Sequence, residues 1–70
     1  MNEHYTFEEA KGNFKKLAHD LIYINSIKTN SELSALACGF NNVLISALGI
    51  TFEQVKEIYA IADEIAKELK

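Results

Sequence analysis

Residues 31–49 read SELSALACGFNNVLISALG, and how this stretch folds decides the architecture of the whole chain. It carries one formal charge, Glu32, near its start. Leu33, Leu36, Phe40, Val43 and Ala47 recur at steps of three and four, the period of one helical face. Ala37, Leu44 and Leu48 broaden that stripe, and Ala35, Cys38, Ile45 and Ser46 leave the other side nearly as apolar. A helix apolar all round is expected to be buried all round. In a chain of 70 residues, two flanking helices cannot cover a third on every side. Part of this helix is therefore expected to meet another chain. Small residues at Ser34, Ala35, Cys38 and Gly39 would let a partner helix come close. The interaction residues expected on this argument are Ala35, Cys38, Asn41, Asn42, Ile45 and Leu48.

Two other fates for the segment follow from the same residues. Leu33 to Ile50 is close to the minimum length for a membrane span, about 20 residues. Asn41 and Asn42 stand at its middle, however, and both neighbouring segments carry a charged face, so no span is expected. Ala35, Gly39 and Ile45, with Phe40 and Leu48, have the spacing of a DNA-binding motif. On those residues SELSALACGFNNVLISALG resembles the helix-turn-helix of Cro-type repressors. That resemblance implies a turn at Gly39–Asn42 and a recognition helix NNVLISAL, with Asn41 and Asn42 as candidates for reading adenine edges. The segment departs from the motif where phosphate would be held, since NNVLISAL contains neither Lys nor Arg. A minimal helix-turn-helix regulator is the alternative reading of function.

The flanks are marked by a repeated word, TFEEA from Thr6 and TFEQV from Thr51. Thr followed three residues later by Glu or Gln is a capping box, in which hydroxyl and carboxylate or amide satisfy two orphan backbone donors at a helix start. Ile50 and Val55 add staple spacing at the second word, and Gly49 is a plausible stop for the preceding helix. Beyond the two words the segments share little more than apolar spacing, so they are read as two caps and not as a duplication. Phe7, Ala10, Phe14, Leu17, Leu21 and Ile24 step by three and four after the first cap. Phe52, Val55, Ile58, Ala62, Ile65 and Leu69 do so after the last. Phe7, Phe14, Phe40 and Phe52 are expected to face the core, with Tyr5, Tyr23 and Tyr59 peripheral. Asp63 to Lys67 is expected to pair on the last helix. The connection IKTNS offers Thr29, Asn30 or Ser31 as the middle cap. The expected fold is all-α: one domain, residues 1–70, of three helices at about 6–26, 31–48 and 51–69, packing as a helical dimer.

Composition bears on function. A chain this short buries only about 60% of its unfolded surface. Cys38 has no disulfide partner in the chain, and no Cys/His cluster offers a structural metal. Self-association remains as a way to add to the core. The formal net charge is −3, and all seven basic residues are Lys. Nucleic-acid affinity depends on neutralising phosphates, so a nucleic-acid partner is not expected. The polar N-terminus shows no signal peptide, and one free cysteine suits a reducing cytoplasm.

No catalytic set emerges. His4 stands near the N-terminus, and His19 has the pattern of a solvated surface histidine. Cys38 lacks a sequence-local base, and free cysteine is commonly a small buried apolar residue. Glu53/Glu57 and Glu64/Glu68 share helical faces, but no Glu-x-x-His motif accompanies them. No cofactor and no metal are expected. The function expected is that of a small protein–protein interaction module: a self-associating adaptor, regulator or inhibitor, not an enzyme.

Overall fold

The computed structural model describes residues 5–69, which leaves His4 outside the described residues. Three helices follow in order, α1 (Phe7–Tyr23), α2 (Asn30–Leu48) and α3 (Phe52–Ala66), with no strand among the described residues.

All three begin on a complete capping box. At α1, Thr6 Oγ1 accepts from the Glu9 N–H at 3.2 Å, while Glu9 Oε1 accepts from the Thr6 N–H at 2.9 Å. Thr51 and Gln54 repeat the pair at α3, again at 3.2 and 2.9 Å. The middle cap is Thr29, with Glu32 as its partner; both bonds are 3.1 Å. Glu32 also accepts from the Lys28 N–H at 2.7 Å. These backbone donors, Lys28 first, hold its carboxyl below its ordinary value.

The helix ends also have local causes. α1 stops at Tyr23, short of the expected Ser26, because Asn25 takes φ 65°. Asn tolerates the left-handed region better than most side chains. The Ser26 and Ile27 N–H groups then fold back onto the Leu21 carbonyl at 2.8 and 3.2 Å. α2 stops at Gly49, whose φ of 64° and ψ of 43° make a left-handed cap, with its N–H on the Ile45 carbonyl. α3 gives way after Ala66 to i→i−3 bonds from Lys67, Glu68 and Leu69. That tighter winding eclipses residues three apart. Lys67 accordingly pairs with Glu64 at 3.3 Å and not with Asp63.

The core is thin. Phe14, Leu33 and Ile58 are its largest fully enclosed side chains. Ala10, Ala18, Ala37 and Ala62 fill much of the rest and let the helices lie close. Phe40, half-buried, sets its ring 5.3 Å from that of Phe14 at an interplanar angle of 52°. Ile27 closes the α1–α2 connection over this core. The backbone extends over 37 × 24 × 15 Å, a depth of about two helix layers. Much of every helix stays open to water. Leu17 and Ile24, expected on the inner face of α1, are 39% and 62% exposed.

Candidate interaction surface

α2 runs without a break through Gly39–Asn42, so the turn that the repressor-like spacing implies is absent. Its inner face consists of Leu33, Ala37, Asn41 and Leu44. The helix is thus buried along one side only. Its outward side differs from an all-round apolar helix because it is mostly small and neutral: Ser31, Ser34, Ala35, Cys38, Gly39, Asn42 and Ser46 are all exposed. Val43 (62%) and Ile45 (48%) are its large exposed apolar residues.

The six residues expected to meet a partner divide accordingly. Ala35, Cys38, Asn42 and Ile45 form one exposed strip at spacings of three, four and three, which lie on one helical face. Asn41 and Leu48 do not join it. Asn41 is only 3% exposed and donates from Nδ2 to the Val55 carbonyl of α3 at 3.4 Å. Its Oδ1 has no hydrogen-bond partner among the described residues. Leu48 is half-buried against the core. Both turn inward because α3 packs along the side of α2 that they occupy, a direction that sequence period alone leaves open.

Cys38 is exposed rather than buried. It stands beside Tyr59 of α3, and the thiol, ahead of desolvation, pushes the Tyr59 phenol above its ordinary value. The nearby Asn41 amide acts in the opposite direction. Tyr59 therefore borders the strip at the α2–α3 seam.

Sequence reasoning missed two features. His19 is exposed but held at both ring nitrogens: its Nε2 lies 3.2 Å from Glu68 Oε2 and its Nδ1 3.0 Å from the Lys15 carbonyl, so it links α1 to the turn that follows α3. No sequence period joins residues so far apart. Phe52, expected in the core, is 73% exposed, with the Lys56 ammonium 5.2 Å from its ring centroid. Among the described residues, no three or more His, Cys, Asp or Glu side chains gather as metal ligands. No described helix is long and apolar enough to cross a membrane. No family model, curated protein or solved structure matches the chain.

Proposed function

We propose that the chain is a small helical protein–protein interaction module that self-associates through the outer face of α2 and acts as an adaptor, regulator or inhibitor in the cytoplasm. The observation that carries this reading is the strip Ala35, Cys38, Asn42 and Ile45. It belongs to a helix whose one formal charge, Glu32, is engaged in its own cap. Residues 33–52 contain no charge at all, in a chain that is 24% charged. Water-facing helices usually carry their charges outward, and a two-fold interface must meet its own patch. An uncharged strip can face its own copy without repulsion. Asn42 supplies the polar position that can fix register in such a pairing. The activity is binding, not catalysis.

Sedimentation equilibrium over a wide concentration range tests the reading. The wild-type chain is expected to dimerise. Ile45→Lys is expected to leave a helical monomer, because two like charges would meet across the axis. A wild-type monomer at every concentration, or an Ile45→Lys dimer of unchanged strength, overturns the assignment.

A further inference from the structure

The six-residue word at the start of α1, TFEEAK, returns at the start of α3 as TFEQVK. Both copies form the same local structure. Lys11 sits 5.3 Å from the Phe7 ring centroid, and Lys56 sits 5.2 Å from that of Phe52. Each Lys also has a Glu of its own first turn nearby, Glu8 at 3.2 Å and Glu53 at 4.0 Å. The two differ in what lies over them. α3 reaches the first copy: Glu57 places its carboxylate 3.1 Å from Lys11, and Phe7 is half-buried against the core. Lys11 is raised above its ordinary value, by Glu57 first and Glu8 second. The second copy lacks that cover. Phe52 is 73% exposed, and among the described residues Lys56 has no ion-pair partner on another helix.

The chain thus contains a worked example of what seats on this turn: apolar cover over the Phe from the core, and a carboxylate to the Lys from a neighbouring helix. We propose that Phe52 and Lys56 form a docking site for an acidic amphipathic helix of another protein, its apolar face on the Phe52 ring and its carboxylate on Lys56. Charge complementarity selects the occupant: Lys11 takes the Glu57 carboxylate in addition to its own Glu8, and Lys56, whose own Glu53 stands farther off at 4.0 Å, has room for the same second carboxylate. A large exposed aromatic beside a cation is also the kind of group that anchors binding. This site is separate from the α2 strip and does not depend on it.

A helix-stapled peptide of residues 54–69, which includes Glu57, is the probe, titrated into the isotope-labelled full chain and followed by NMR. Saturable shifts are expected at Phe52 and Lys56. Phe52→Ala and Lys56→Glu should each weaken binding about tenfold, the scale of a truncated anchor. A peptide carrying Glu57→Lys should fail on the wild-type chain and recover on the Lys56→Glu chain. That exchange of charges separates docking from misfolding. Four results overturn the proposal: no shifts at millimolar peptide, shifts confined to the first turn of α1, binding indifferent to the charge at position 56, or the same Phe52 shifts on concentrating the chain without peptide. The second would mean that the peptide replaces α3, and the last that a second copy occupies the site.

Discussion

The first turns of α1 and α3 are a natural control within one molecule. They share a cap, an aromatic residue at the first helical position and a lysine over its ring, with bond lengths that agree to within a tenth of an ångström. Yet one phenylalanine is half-buried and the other stands in water. Local sequence therefore builds the turn, and only the neighbouring helix decides whether its aromatic residue stabilises the fold. The same comparison separates the two sorts of energy. Capping is local and should be equal at both ends; burial is tertiary and should not.

The largest expected difference lies in the aromatic pair. Phe7→Ala should destabilise the domain by about 2 kcal/mol, less than the 3–5 of a fully buried site. Phe52→Ala should stay within about 0.5 kcal/mol, as exposed positions do. Denaturant midpoints at constant slope would measure both, and equal losses would break the comparison. The caps come next: Thr6→Ala and Thr51→Ala should each cost about 1 kcal/mol. Unequal costs that persist when Glu9→Gln makes the two boxes alike would mean that the caps feel tertiary context after all.

The third cap sharpens the point through pH. Because Glu32 is held below its ordinary value in the fold, the unfolded chain takes up its proton first as pH falls. The stability it contributes is thus complete above the usual carboxylate range and disappears as pH drops through the lower folded value. Glu32→Gln should flatten that part of the acid unfolding curve slightly, whereas Gln54→Ala at the uncharged box should leave its shape intact. A wild-type acid curve unchanged by Glu32→Gln would remove the electrostatic part of this account.

Much of the fold was legible because helix starts are written in short words. Thr6 and Thr51 gave two boundaries directly. The third, Thr29 to Glu32, has the same Thr-x-x-Glu spacing and could have been read the same way instead of being left open among Thr29, Asn30 and Ser31. The site was less legible. Periodicity gives the direction of a side chain around its own axis, but not where the next helix lies or how far it extends. Asn41 and Leu48 turned inward for the first reason, and Phe52 was left uncovered for the second. Cys38, expected as a small buried apolar residue, is exposed because it lies on the flank of the Leu33, Ala37 and Leu44 face, where no helix covers it.

The link between α2 and α3 holds Gly49, Ile50 and Thr51 and nothing more. Gly49 closes one helix, Thr51 opens the next, and half-buried Ile50 packs on the core between them. Such a joint has no slack: swinging the two helices apart breaks a cap at once. The longer connection through residues 24–29 is pinned as well, with Ile27 buried in the core and the Ser26, Ile27 and Lys28 N–H groups all hydrogen-bonded. α2 and α3 are thus built as one hairpin, with a cap on either side of its bend.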